Sequence, residues 1–351
     1  MHAALFNGIA SHVHDYNDTY LDTIIHPTGP VACALLAIAE TLDHPVLGTE
    51  FLTALVAGIV AEYVGWHITS TVGSIGAAVA VAKLLALSAD QVAHAIGVAA
   101  TQVTGLREMF GSHTKSFHPG RAAQNGLVAG LLAREGFTSS VQALEAKRGW
   151  ANVVSSGHRL DEEIAGLGDG RWEIARNAFK PFPCGIVVHP VIDGCVWLHG
   201  ELERVGIDVE EVEEVIADVH PLVLQLTGKT APKAYYHGGA VGLLFGKATP
   251  AQYEDHIVVD ERIVALRNRF RAVPDEGLRA DEYHLAGGSS IEKHVDFAVG
   301  SLERPMTDDE LARKFVDQCA AILGPERTHE TSQWCRDLER QTDIRRIKDV
   351  L

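Results

Sequence analysis

The chain has 351 residues, enough for two domains of ordinary size and a substantial core. Hydrophobic residues at 46% against 22% charged exclude a disordered chain. A formal net charge of −16 argues against nucleic acid or an anionic membrane as partner, because both need clustered Lys and Arg.

An acidic protein can still line one cleft with cations, and Lys115, Arg121 and Lys180 are the candidates. Five cysteines without CxxC spacing, and no signal-peptide pattern, predict reduced thiols and a cytoplasmic location. The longest uncharged helical stretches, such as residues 51–61, fall short of the roughly 20 residues that a membrane span needs. They read as core helices.

Residues 1–14 predict an opening helix on Leu5, Ile9 and Val13, with no capping residue ahead of it. Residues 30–42 and 47–64 read as two buried helices separated by Asp43-His44-Pro45. Residues 74–87, mostly Ala, Val and Leu, predict another, and Ser88-Ala89-Asp90-Gln91 is a capping box that opens the next. In that helix Val92, Ile96, Ala99 and Val103 recur at spacings of four, three and four and predict the apolar stripe. Its many Ala and Gly residues let neighbouring helices approach closely. Residues 113–120 are too rich in Gly and Pro to read as mid-helix and predict a turn facing a cleft. A helix over 120–136 follows, and the polar, Gly-rich residues 155–170 hold the domain boundary.

After Ala178 the texture changes. Residues 187–202 predict one helix, and residues 212–219, β-branched and roughly alternating, a strand. A short helix is expected over 239–245, an acidic mixed segment over 257–266, strands over 267–273 and 293–299, and turns over 277–290, with Gly287-Gly288-Ser289-Ser290. Met306-Thr307-Asp308-Asp309-Glu310 caps a helix running to Leu323. The expected architecture is mainly α, an all-helical domain over residues 1–175 with a smaller α+β lid domain over 176–303 and C-terminal helices over 304–351.

Eighteen histidines are a rich supply of the side chain whose pKa lies nearest neutrality. His94, His158 and His199 stand in ordinary contexts and read as structural. His67, between Gly65-Trp66 and Thr69-Ser70-Thr71, stands at the end of one buried helix and the start of the next. Its context leaves two roles open, a tie between helices or a group at a site where helical N–H groups favour a carboxylate. Lys115 and His118, three residues apart, present an ammonium and an imidazole from one turn. They suit a substrate carboxylate and a mobile proton, or simply a surface turn ending in Pro-Gly. Asp15, Asp18, Thr19 and His26 form the earliest polar group, either setting an imidazole tautomer or, for Asp18 and Thr19, capping a helix. No HExxH or CxxC spacing and no phosphate-binding glycine motif is present, and His12 with His14 falls in a helical stretch where residues two apart diverge. Neither metal nor nucleotide cofactor is expected.

Gly65-Trp66-His67, then Gly73-Ser74-Ile75-Gly76-Ala77-Ala78, then Ala95-Ile96-Gly97-Val98-Ala99-Ala100, resemble the MmgE/PrpD family, which includes 2-methylcitrate dehydratases, cis-aconitate decarboxylases and an iminodisuccinate epimerase. Asp15-Tyr16-Asn17-Asp18-Thr19, with His26-Pro27-Thr28 after it, resembles the family's D-F/Y-D-D-T…H-P-S/T stretch, with Asn17 in place of the second Asp and one residue more before His26 than in several relatives. Phe179-Lys180-Pro181-Phe182-Pro183-Cys184 resembles its K-P-F/Y-P-C segment. The likeness spans nearly the whole chain. It implies further helices upstream of residue 1, a short helix over 138–150, and return of the C-terminal helices to the helical domain.

The resemblance further implies chemistry without cofactor or metal, a homodimer, and a pocket lined by Asp15, Thr19 and His26. Lys180 would close a cation over a bound acid, and Tyr236, in Tyr235-Tyr236-His237, falls where the family has an aromatic-containing turn near the cleft. Gly185 stands where cis-aconitate decarboxylases carry a histidine. The expected activity is therefore a hydro-lyase acting on a small carboxylic acid, with 2-methylcitrate of propionate catabolism as the example. His67, His26, Lys115 and Asp15 are its catalytic residues, and Thr19, His118, Lys180 and Tyr236 bind substrate. A decarboxylase or epimerase is the alternative within enzymes. A non-catalytic, shortened paralogue binding an acid or a full-length partner is the alternative outside them.

Overall fold

The computed structural model describes residues 1–21, 23–57, 66–102, 104–155, 157, 160–166, 168–170, 172–221, 223–224, 232–278, 283–286 and 291–351. The expected helix tail at 58–64, Gly65, Val103, His158 and the turn at 287–290 lie outside the described residues, as does the side chain of Tyr235. The fold is mainly α. Backbone packing divides the chain into two compact units, Met1–Val13 with Asn17–Asn177 and Leu323–Leu351, and His14–Tyr16 with Ala178–Ile322.

The first unit contains α1 (His2–Ala10), β1 (Asp18–Tyr20), α2 (Thr28–Ala39), α3 (Gly48–Val56), α4 (Ile68–Thr71), α5 (Gly73–Leu84), α6 (Ala89–Ala100) and α7 (Thr114–Arg134), then the short α8 (Trp150–Val154) and α9 (Leu160–Ala165). The capping box opens α6 as expected. The Gln91 N–H donates to Ser88 Oγ at 3.3 Å and the Ser88 N–H to Gln91 Oε1 at 3.1 Å, which satisfies two otherwise orphaned donors. The core side of α6 is Ala95, Val98 and Ala99 with Val92 against them, so the buried stripe is shifted from the expected one and Ile96 is only half-buried.

Helix α7 packs on α1, α2, α4, α5 and α6, and two expectations fail around it. Residues 113–120 are not a turn. Thr114 to Gly120 are the first turns of α7, with Pro119 inside the helix. A proline in a helix interior forfeits a backbone hydrogen bond and costs about 3 kcal/mol. Tertiary burial offsets it. His118, Pro119 and Gly120 are all buried, and α1 comes so close that a Cβ on Gly8 would lie 2.5 Å from the Gly120 Cα. Residues 141–149 form turns, and the helix begins only at Trp150. The Trp150 and Ala151 N–H groups return to the carbonyls of Ala143 and Leu144 at 2.7 and 3.1 Å. These looping bonds replace the helical ladder over that segment.

In the second unit, entered through β2 (Asn177–Phe179), α10 (His189–Val205) and α11 (Pro232–Phe245) pack on each other, and α12 (Glu261–Arg267) packs on α11. The sheet runs β4-β3-β5-β6, from β3 (Val215–Val219), β4 (Phe270–Pro274), β5 (Tyr283–Ala286) and β6 (Lys293–Val295). β3 and β4 are parallel in the register Val215 to Phe270, and β5 is antiparallel to both β3 and β6. Alternation on β3 buries Val215, Ala217 and Val219 against Val191, Ile192 and Cys195 of α10 and Ala240 and Val241 of α11. The expected strand over 212–219 begins only at Val215, after a 3₁₀ turn over 209–211 capped by Asp208 and residues 212–214 in no regular element. Arg267 ends α12 instead of opening a strand, and α11 starts earlier than expected, at Pro232. The helix after Thr307, α13 (Asp308–Leu323), has the expected capping box, with the Thr307 N–H donating to Glu310 Oε2 at 2.8 Å. Up to Ile322 it belongs with this second unit, and α14 (Pro325–Arg336) with the first. Among the described residues, no helix is long and apolar enough to cross a membrane.

Helices α5 and α7 meet at glycine distance, since a Cβ on Gly126 would lie 2.4 Å from the Ala77 Cβ and 2.7 Å from the Ala78 nitrogen. Gly126→Ala will therefore destabilise the protein by about 1–3 kcal/mol through overpacking, despite an intrinsic helical preference for Ala of about 1 kcal/mol. Gly200, exposed in α10 with nothing near its Cβ direction, is the control, and Gly200→Ala will stabilise by up to about 1 kcal/mol. Denaturant midpoints of the two variants moving in the same direction would contradict this packing account.

Candidate active site

Four buried imidazoles gather in the first unit. His12 follows α1, His26 precedes α2, His67 caps α4 and His118 lies in α7, and each is at most 4% exposed. Ring centroids are 5.1 Å apart for His67 and His118, 5.3 Å for His12 and His26, 5.7 Å for His12 and His67, and 6.5 Å for His26 and His67.

The ring of His26 is oriented by backbone. Its Nδ1 lies 2.8 Å from the Asp18 carbonyl oxygen and 3.0 Å from Thr19 Oγ1, and the His26 backbone N–H donates to Thr69 Oγ1 at 3.0 Å. A carbonyl oxygen only accepts, so the neutral ring carries its proton on Nδ1 and keeps the lone pair on Nε2. The Asp18 carboxylate faces elsewhere. It accepts from the Thr28 hydroxyl at 2.6 Å, the Thr28 N–H at 3.3 Å and Asn177 Nδ2 at 2.7 Å. Burial pushes this carboxyl up and the three donors oppose the shift. Of the two roles open for this pair, Asp18 takes the cap of α2 and Thr19 stands on the imidazole.

The Thr69-Ser70-Thr71 run holds the elements around His67. Ser70 Oγ donates to the His118 carbonyl at 2.8 Å, and the His67 N–H donates to the Gly105 carbonyl at 2.8 Å. Gly105 has φ +97, and a Cβ there would lie 2.9 Å from the Ser70 Cβ and 3.3 Å from the His67 Cβ, so the approach requires glycine. His67 Nδ1 is 2.9 Å from His118 Nδ1, and the His67 ring stands edge-on to Phe110 with centroids 5.1 Å apart. Two cations share that phenyl ring, Lys115 Nζ at 5.3 Å and Arg107 Cζ at 5.9 Å from its centroid. Burial, and then the Lys115 ammonium, hold the His118 imidazole below its ordinary pKa. Arg121 is engaged along α7, donating to Gln124 Oε1 at 2.6 Å.

The second unit carries its own charged group. Lys180, 1% exposed, donates from Nζ to Asp15 Oδ1 at 2.6 Å and to the Asp15 carbonyl at 3.1 Å. Asp15 holds the left-handed backbone, φ +48, tolerated by a short polar side chain at a modest cost. Lys314, from α13, donates to the carbonyls of Tyr16 and Lys180 at 2.7 and 2.9 Å and lies 4.2 Å from the Tyr16 ring centroid. The Tyr16 hydroxyl donates to the Pro181 carbonyl at 2.8 Å. These bonds knit residues 15–16 to residues 180–181. His189 opens α10 and donates from Nε2 to the Cys184 carbonyl at 3.3 Å. Burial, with Lys180 beside it, pushes that imidazole down to about 3, so it is neutral at physiological pH. Tyr236 packs on Phe270 with centroids 6.2 Å apart.

Of the sequence-derived site residues, the first unit thus gathers Thr19, His26, His67 and His118, with Lys115 joined to His67 through Phe110. The second unit pairs Asp15 with Lys180. Sequence reasoning missed His12 because it assigned residues 1–14 to one helix; α1 stops at Ala10, and the turn after it brings His12 inward. Its nearness to Asp15 in sequence was the available signal. Lys314 carried none, since its partners are backbone carbonyls far away in sequence. His94 and His199 are structural ties, the first accepting from the Ser139 N–H at 3.2 Å and the second donating to the Leu243 carbonyl at 2.9 Å.

The MmgE/PrpD N-terminal domain model matches residues 1–163 and the MmgE/PrpD C-terminal domain model residues 182–339. The chain belongs to the MmgE/PrpD family. Among its family relatives, a cis-aconitate decarboxylase-like protein, oryM, of Aspergillus oryzae is 25% identical over 97% of this chain and 80% of its own length. The cis-aconitate decarboxylase of Mus musculus is 24% identical over 92% of this chain and 72% of its own. The 2-methylcitrate dehydratase of Cupriavidus necator is 28% identical over 79% of this chain and 63% of its own. Both domain models of the MmgE/PrpD family fall on segments that carry a polar group, the histidine cluster in the first and His189 in the second.

His189 supplies a pH test. Its folded pKa is depressed, so the unfolded chain binds a proton first as pH falls below about 6.5, and stability is lost from there down towards about 3. Between pH 7 and pH 5 this single group removes on the order of 2 kcal/mol. His189→Gln will flatten the measured stability over that interval by about this amount; an unchanged slope would place the proton elsewhere.

Proposed function

We propose that this MmgE/PrpD protein is a cofactor-independent lyase that removes water from a small di- or tricarboxylic acid such as 2-methylcitrate. The observation that carries the reading is the buried cluster of four imidazoles, with the His26 tautomer set by a backbone carbonyl. Elimination from a β-hydroxy acid needs a base for the carbon-bound proton, an acid for the departing hydroxyl, and cations for the carboxylate as it gains enolate character. Neutral His26 offers its Nε2 lone pair to the carbon acid. His67 handles the proton for the hydroxyl, and Lys115 binds a carboxylate. Thr19 orients His26. His118 stands against His67, Nδ1 to Nδ1 at 2.9 Å. Lys180, its ammonium oriented by Asp15, is a carboxylate ligand on the strength of its motif. Tyr236, packed on Phe270, enters the substrate-binding set by motif alone. The working form is proposed to be a cytoplasmic homodimer.

Decarboxylation is the second reading, favoured by a decarboxylase and a decarboxylase-like relative matching 92% and 97% of the chain against 79% for the dehydratase. Gly185, in place of a histidine, weighs against it. Both reactions act at a carbon beside a carboxylate, and the same proton transfer without loss of a group gives epimerisation.

The test is proton NMR in D₂O of the purified chain with 2-methylcitrate, citrate, cis-aconitate and a chiral amino-dicarboxylate in turn. Deuterium entry at one carbon with loss of water is expected for 2-methylcitrate, and Lys115→Ala will lower the rate by about 100-fold or more while the protein stays folded. Carbon dioxide release from cis-aconitate would select the second reading. Folded protein that leaves every acid unchanged and unexchanged would overturn the enzymatic reading.

A further inference from the structure

His26 and His67 differ in one respect that their burial and spacing do not reveal. The Nδ1 partner of His26 is a carbonyl oxygen, which cannot donate. The Nδ1 partner of His67 is another Nδ1, that of His118, at 2.9 Å. A hydrogen bond of that length between two ring nitrogens needs one proton between them, and either ring can hold it. When His67 holds it, His67 Nε2 carries the lone pair and accepts a proton. When His118 holds it, neutral His67 carries its proton on Nε2 and donates.

We infer that His118 is a positioning residue for His67, and that the two rings form a tautomeric dyad whose shared Nδ1 proton sets whether His67 Nε2 accepts or donates. The inference rests on the proposed proton chemistry of this cluster and deepens it. His26, locked by its carbonyl, is committed as base, and the dyad leaves His67 able to act in either direction, as the second proton carrier of an elimination must when the reaction is reversible. The groups facing His67 from the elements around it are His12 after α1, His26 before α2, His118 and Lys115 of α7, and Arg107 across Phe110. Burial, and then the Lys115 ammonium, lower the His118 pKa, which favours the neutral ring whose Nδ1 lone pair takes up the shared proton. The balance is simple. In the hydration direction His67 Nε2 takes a proton from water while its Nδ1 proton passes to His118, so that the dyad gains one positive charge; in elimination that proton leaves with the hydroxyl as water, and both rings end neutral.

The full chain, labelled with ¹⁵N histidine, tests the dyad without any substrate. His26 is expected to show a protonated Nδ1 and a bare Nε2, whereas His67 and His118 show Nδ1 shifts between the protonated and bare limits, with a downfield shared proton. Two bare Nδ1 atoms, or one ring locked in a single tautomer, would overturn it. With an acid that the enzyme turns over, His118→Phe will lower kcat by about 100-fold at little change in KM, and His118→Asn, whose amide donates and accepts, will stay within about 10-fold of the native rate. Equal losses in both variants, or a change confined to KM, would show that His118 only fills space. Should His118→Phe fail to fold, the amide variant and the labelled native chain still decide. Should no acid be turned over, the functional reading fails while the ring shifts still judge the dyad.

Discussion

The close approach of α7 to α1 and α5 is the constraint on which the rest of the first unit depends. Glycines and alanines at these crossings, Gly8 on Gly120 and Gly126 on Ala77, let backbones approach to distances that larger side chains forbid. Side chains near the crossings are then forced to share little space. His12, just past the end of α1, and His118, beside Pro119 on α7, are brought within reach of His67 in this way. The proline that would weaken an isolated helix is tolerated because it sits in the same buried interface.

A polar cluster at that depth must satisfy its hydrogen bonds or lose stability. The chain meets the demand largely with backbone. The Asp18 carbonyl takes the His26 ring, Gly105 takes the His67 N–H, and the His118 carbonyl takes Ser70. Because carbonyls accept and never donate, they impose tautomers and directions that side-chain partners would leave open. The pairing of His67 with His118 carries no such direction, because it joins two amphoteric rings. The second unit solves the same problem with charge. Removing the partly exposed Asp15 carboxylate would leave the buried Lys180 ammonium without its counter-charge. Lys314 spends its ammonium on the carbonyls that flank the pair.

Much of this was legible beforehand where the signal is local. The capping boxes at Ser88 and Thr307 depend on side chains three residues apart, and both formed. The mainly helical character followed from periodicity, and the family from motifs spread over the chain. The misreadings arise where bonds or packing beyond the nearest neighbours decide the local structure. Residues 113–120 look like a turn by composition and form a helix because their burial against α1 outweighs propensity. Residues 141–149 form turns because Trp150 and Ala151 bond back to Ala143 and Leu144. In the first a contact distant in sequence, in the second backbone bonds reaching seven residues back, outweighed a local preference worth about 1–3 kcal/mol.

Sequence alone determined which chemical groups the protein owns and the order of its helices, since caps, apolar spacing and short motifs are written in neighbouring residues. It also singled out Asp15, Thr19, His26, His67, Lys115, His118 and Lys180 one by one. Only the tertiary structure decided which of them meet, that His12 joins the imidazoles, that Asp18 caps α2 while Thr19 turns to His26, and that His67 faces a partner able both to give and to take a proton. Those outcomes depend on distances between groups from seven to 165 residues apart, which are set by how the chain turns and how closely helices pack, and no local pattern encodes them.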